Sequence, residues 1–171
     1  ESVNYKQIEG LRFSNNSKYL IVAAIELGGG NVAEVIHLET RKKVKQIDVE
    51  NFVTGFAVTD DLICVGTNVG EVILTDFQGT RLADFKLDSR IADIRINGEN
   101  DRIAVVENEE GSYFKLHQID VEKLEIGNVY TTPDGELRDH EYCKYSPDSK
   151  FLVSYGGSRL KGAVEVFDAD S

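Results

Sequence analysis

His140 and Cys143 form a His-x-x-Cys pair flanked by Asp139 and Glu141, the residue types that ligate zinc or build a thiol nucleophile. A zinc site needs about four such ligands at close spacing, and no second pair of this kind occurs in the chain. The other histidines, His37 and His117, fall in what look like equivalent apolar strand patterns and read as a shared structural position. Ser154-Tyr155-Gly156-Gly157-Ser158 is not a Gly-x-Ser-x-Gly elbow and reads as a turn. Gly28-Gly29-Gly30 lacks the glycine spacing and the following helix that phosphate binding requires, so a hairpin loop is expected. Glu107-Asn108-Glu109-Glu110 and Asp168-Ala169-Asp170 lack the alternation of a calcium loop and read as solvated. No catalytic residue, cofactor site or metal site is expected from these patterns.

The elements that carry these residues repeat. Leu11-Arg12-Phe13-Ser14-Asn15-Asn16-Ser17-Lys18-Tyr19-Leu20 has a counterpart in Cys143-Lys144-Tyr145-Ser146-Pro147-Asp148-Ser149-Lys150-Phe151-Leu152. Weaker copies centre on Phe56-Ala57-Val58 and Ile94-Arg95-Ile96. Each copy opens with apolar alternation, the mark of a half-buried strand, followed by a polar turn. A more continuously apolar strand comes next, as expected for a strand covered on both faces. A third strand ends near an acidic residue (Glu39, Asp76, Asp120, Asp168), and a shorter polar strand follows, suited to an exposed edge. The anchors Phe13, Val58, Ile96 and Tyr145 recur at intervals near the typical blade length of about 40–45 residues.

The fold class expected is therefore all-β: a β-propeller-like array of four four-stranded antiparallel blades in one domain spanning 1–171. The blades are placed at 10–48, 52–87, 91–130 and 140–171. Residues 3–9 resemble the outer strand Val44-Lys45-Gln46-Ile47 and are expected to complete the last blade, capping an otherwise bare edge. Three arrangements are open: part of a larger propeller, a half-ring completed by another chain or by a second copy, or a four-bladed ring.

The Phe-Ser-x-x-Ser-Lys-aromatic-Leu pattern at residues 13–20 and the Tyr-Ser-Pro-Asp-Ser-Lys-Phe-Leu stretch at 145–152 resemble the second half of a WD-repeat blade. The chain departs from that family in having no Trp-Asp dipeptide and no Gly-His pair, so the resemblance is to a divergent WD-like propeller. It implies a scaffold that binds other proteins within a larger complex. The double-Arg motif of lipid-binding propellers is absent, since no two Arg are adjacent.

Composition narrows the partners. With 30 acidic and 19 basic residues the 171-residue chain carries a net charge of −11, which disfavours nucleic acid. The basic cluster Arg41-Lys42-Lys43-Val44-Lys45 reads as a solvated turn. No apolar run reaches the roughly 20 residues of a membrane span. Cys64 and Cys143 sit in apolar strand patterns and read as buried free thiols in a reducing, cytoplasmic or nuclear setting. The function expected is non-catalytic protein–protein interaction with a partner offering a basic face, and a homodimer if the ring is split between chains. The alternative is the propeller domain of a hydrolase or other enzyme whose catalytic residues lie elsewhere. Loop position nominates Glu109, Glu110, Asp134, Arg138, His140, Arg159 and Lys161 as partner-binding residues.

Overall fold

The computed structural model describes residues 5–108, 114–131, 140–158 and 161–170. Among them are fifteen strands and no helix. The first sheet runs β1 (Tyr5–Phe13), β2 (Tyr19–Glu26), β3 (Asn31–His37) and β4 (Lys42–Val49). The second holds β5 (Val53–Val58), β6 (Leu62–Thr67), β7 (Glu71–Asp76) and β8 (Arg81–Lys86). The third holds β9 (Ile91–Ile96), β10 (Arg102–Asn108), β11 (Phe114–Asp120) and β12 (Glu125–Thr131). The fourth holds β13 (His140–Tyr145), β14 (Phe151–Ser158) and β15 (Lys161–Asp168). Every sheet is an antiparallel meander in sequence order. This is a β-propeller array, with the fourth sheet three-stranded among the described residues rather than four-stranded.

Residues 5–9 do not complete the fourth sheet. They continue β1, pairing Tyr5 with Glu26, Gln7 with Ile25 and Ile8 with Ala24. Two register irregularities let the strand bend without ending, and Tyr5 is anchored where its hydroxyl donates to Glu34 at 2.5 Å. Gly10 is not a boundary either. A Cβ there would stand 2.9 Å from the Phe56 ring, so its lack of a side chain is what admits that ring.

The turns after the four anchors share one device. Ser14, Thr59, Asn97 and Ser146 each accept, through a side-chain oxygen, the N–H of the residue that opens the next strand, at 3.0, 2.9, 3.1 and 2.9 Å. In the three longer turns the third residue on is left-handed: Ser17 (φ 60°), Asn100 (φ 62°) and Ser149 (φ 60°). Ser, Thr and Asn are chosen here because their short polar arms can replace a backbone acceptor. The triple glycine is a hairpin loop as expected, with Glu26 N–H donating to Gly30 O and Gly29 at φ 92°.

The acidic residues ending the third strands also work in turns. Asp76 accepts the N–H groups of Gly79 and Thr80, and Asp120 accepts that of Lys123. In the first sheet this place is held by His37, whose Nδ1 accepts from Thr40 N–H at 3.3 Å, not by Glu39. His37 pairs with Tyr19 and His117 with Val105, so the two histidines occupy different positions in the repeat.

The core lies between sheets. Ile21, Ala23, Ala33 and Val35 of the first sheet pack against Phe56, Val58, Ile63 and Val65 of the second. Ala57, Cys64, Val72 and Leu74 on its other side meet Ile91, Ile94, Ile103 and Val105 of the third. Ala104, Val106, Phe114 and Leu116 then meet Cys143, Tyr145 and Leu152 of the fourth. The second and third sheets thus turn one side to their predecessor and the other to their successor. Gly55 and Gly66, paired across β5 and β6, leave the flat patch into which Ile91 and Ile94 fit.

Candidate interaction surfaces

Contacts between sheets run largely through their first strands, β1, β5, β9 and β13, and here charged residues converge. Asp93 on β9 is buried. Its carboxylate accepts from Arg12 of the first sheet at 3.2 Å, from Arg95 at 2.5 Å and from the Cys143 N–H of the fourth sheet at 3.1 Å. The Arg12 guanidinium also lies 5.3 Å from the centre of the Phe56 ring, a cation–π contact with the second sheet. Burial pushes the Asp93 carboxyl above the ordinary aspartate value, against the pull of Arg95, the Cys143 N–H and Arg12. The group is saturated with donors, and its work is to tie four sheets together. Asn15 adds a second link across the array, donating to Asn97 O at 2.7 Å and Asn100 Oδ1 at 2.9 Å.

Beside this cluster a polar recess of about 450 Å³ is lined by Asn15, Arg95, Lys144, Ser146 and Tyr155. A second groove, of about 500 Å³, lies between β4 and the outer strands of the second sheet. Asp48, Glu50, Glu71 and Asp84 line it against Arg81 and Lys86, giving an acidic concavity. Glu71 is fixed there by Asn51, which donates to Oε2 at 3.1 Å.

One buried histidine–carboxylate pair stands apart from these surfaces. His117 Nε2 lies 2.7 Å from Glu107 Oε2, and Glu107 Oε1 accepts the Ser89 N–H at 2.7 Å. The pair sits in the side of the third sheet that faces the second, where it closes polar groups inside a seam. Cys143 is enclosed between the third and fourth sheets. Its thiol is buried 4.0 Å from Ala104 O, and burial raises its pKa. No group of three or more His, Cys, Asp or Glu able to hold a metal occurs among the described residues. Among the described residues no helix is long and apolar enough to cross a membrane.

Of the residues nominated from sequence, Glu109, Glu110, Asp134, Arg138 and Arg159 lie outside the described residues. His140 and Lys161 are placed only as the first residues of β13 and β15. Asp93, Arg12 and Phe56, which loop-based reasoning passes over, sit on inner strands. A signal for Arg12 was present, since a cation stands between two apolar strand residues in Leu11-Arg12-Phe13, Ile94-Arg95-Ile96 and Cys143-Lys144-Tyr145.

The outward sides of the first and fourth sheets carry exposed apolar residues at positions that are packed in the other sheets. Strand register makes Leu11 and Phe13 the equivalents of Phe56 and Val58, of Ile94 and Ile96, and of Cys143 and Tyr145. Phe56, Val58, Ile94, Cys143 and Tyr145 are buried against the preceding sheet, while Leu11 is 51% and Phe13 60% exposed. On the fourth sheet Val164 and Val166 correspond to Ala33 and Val35, to Val72 and Leu74, and to Leu116 and Gln118. All six counterparts are buried, whereas Val164 is 68% and Val166 63% exposed. Tyr142, Phe151 and Tyr155 extend the same open side, Tyr142 and Tyr155 stacking at 5.5 Å. Part of the first sheet's outward side is covered by Tyr5, which packs with Val22, Ala24 and Val32.

No protein-family model and no curated protein sequence matches the chain. Solved structures do. Kuenenia stuttgartiensis hydrazine synthase superposes with a TM-score of 0.80 over 99% of this chain and 48% of its own, at 16% identity. A chain of a mitotic checkpoint complex superposes with a TM-score of 0.76 over 96% of this chain and 50% of its own, at 12% identity. Both are similar to this chain in fold, and the chain spans about half the length of each.

Proposed function

We propose that this chain is a non-catalytic protein–protein interaction module of divergent WD-like propeller type, working inside a larger assembly. The observation that carries the reading is the pair of open end faces. Leu11, Phe13, Val164 and Val166 are apolar where their counterparts in the other sheets are packed, and a contiguous apolar face left to water marks an interaction site. The acidic groove at Asp48, Glu50, Glu71 and Asp84 suits a basic partner face, and the net charge of −11 speeds such an encounter. Two free, buried thiols accord with a reducing compartment, cytoplasmic or nuclear. The fold does not choose by itself, because the two similar structures are an enzyme and a checkpoint assembly by name.

The test is amine cross-linking of the tagged chain in its source cells, with the linked peptides identified by mass spectrometry. Cross-links to another protein, or to a second copy, should start from Lys6 on the first sheet and from Lys144 and Lys150 on the fourth. Cross-links confined to Lys45 and Lys86 on the outer strands would count against the end faces.

A further inference from the structure

The two open faces are opposite halves of one kind of seam. The first sheet exposes the side that the second, third and fourth turn to their predecessors. The fourth exposes the side that the first, second and third turn to their successors. We propose that a second copy of this chain closes the array head to tail, its first sheet stacking on the fourth sheet of its partner at two identical seams, to give a ring of eight sheets. This rests on the interaction-module reading and names its partner.

Two further observations support closure by a second copy. The seams already formed are built from the same positions that stand open at the ends, so the fourth-to-first junction repeats a packing the chain makes three times internally. Lys144 occupies the place of Arg12, which crosses its seam to lie over Phe56. Lys144 has no ion pair among the described residues, and its stem would lie along Leu11 and Phe13 of the other copy, as long cationic side chains do on apolar surface. A head-to-tail contact either closes or grows into a filament. Here closure forms the second seam within one complex, where its effective concentration is high.

Light scattering of the purified chain across a concentration series tests this, with two paired variants. Leu11→Glu with Phe13→Lys spoils the first-sheet face, and Val164→Lys with Val166→Glu spoils the fourth. The parent should scatter at twice 19.0 kDa, and each variant alone should be monomeric, its association weakened by more than about 30-fold. Mixing the two variants should restore a dimer, because one seam then has both faces intact. Retained strand circular dichroism and a protected Cys64 thiol establish that each variant is folded. A parent that stays monomeric, one that polymerises, or a variant that still dimerises alone through its intact face would each overturn the proposal. A monomeric parent that still cross-links to another protein from Lys144 or Lys150 would leave the interaction reading standing and remove only the second copy.

Discussion

Arg12 on the first sheet reaches Asp93 on the third, with Nη2 3.2 Å from Oδ1, by passing over the Phe56 ring of the second. Neighbouring sheets are held by apolar seams. This ion pair links sheets that are not neighbours, and the Cys143 N–H brings in the fourth. Replacing Asp93 by Asn leaves two guanidinium groups facing a neutral amide and should cost about 2 kcal/mol or more. Urea unfolding measures it, and a loss under half that would mean the seams alone hold the array.

The same substitution should change the acid limb of stability. Because burial raises the Asp93 carboxyl, the folded protein keeps that proton to higher pH than the unfolded chain does. Its contribution therefore falls as pH rises from the ordinary aspartate value through the raised one. Asp88, Asp120 and Asp148 are shifted downward, by hydrogen bonds from Lys115, Lys123 and Ser146 respectively. Their contributions are present above the ordinary aspartate value and are lost as pH falls through the lowered ones. Asp93→Asn removes the opposing member, so stability should fall more steeply than in the parent as pH drops from the raised Asp93 value to the ordinary aspartate value. A parallel or shallower slope in urea titrations would contradict the assignment.

Gly66→Ala should destabilise the seam between the second and third sheets. The new Cβ would lie 2.6 Å from Ile91 Cγ2 and 2.8 Å from Ile94 Cδ1, both buried. Overpacking of this kind costs about 1–3 kcal/mol. Combining it with Ile91→Val should recover part of the loss, which a double-mutant cycle reads directly.

Ser17 is left-handed at φ 60° in the first turn. Ser17→Val should lower stability by about 1–2 kcal/mol, since a β-branched side chain is least tolerated there. Ser17→Gly should be neutral or slightly stabilising, because glycine adopts that conformation freely. Ser149→Gly should fare worse than Ser17→Gly. The Ser149 hydroxyl accepts the Gly98 N–H at 3.0 Å across the seam between the third and fourth sheets.

The two cysteines should react with a thiol reagent in a fixed order. Both are buried, and burial raises both above the ordinary thiol value, so the reactive thiolate is scarce. Cys64 is enclosed between the second and third sheets, while Cys143 lies under the fourth, which packs on one side only. In the monomeric variants Cys143 should be labelled first, in mild denaturant, and Cys64 only on global unfolding. Simultaneous labelling would show that the four sheets open as one unit.

Strand order and turn positions were legible in the sequence because each is local. Phe13-Ser14 through Leu20 states the strand, its hydrogen-bonding turn and the next strand within a few residues. The fate of residues 5–9 was not, because likeness to Val44-Lys45-Gln46-Ile47 says nothing about which edge a strand pairs with. That was decided by the Tyr5–Glu34 hydrogen bond and by Gly10 fitting beneath Phe56. The axial cluster was hidden for another reason: Arg12, Asp93 and Cys143 come from three sheets, and only the curvature of the array brings them together. His37 was misread because a polar residue ending a third strand can hold a turn without being acidic.

Every sheet here is a meander whose strands pair with the next in sequence, joined by turns of a few residues. Strand pairing therefore closes only short loops, and each sheet can form soon after its own stretch of about 40 residues has left the ribosome. What must wait is the docking of one finished sheet on the next, and the reach of Arg12 to Asp93 follows only once three sheets are in place. A chain stalled during synthesis would then display a sticky seam face on its newest sheet, at whatever point translation paused.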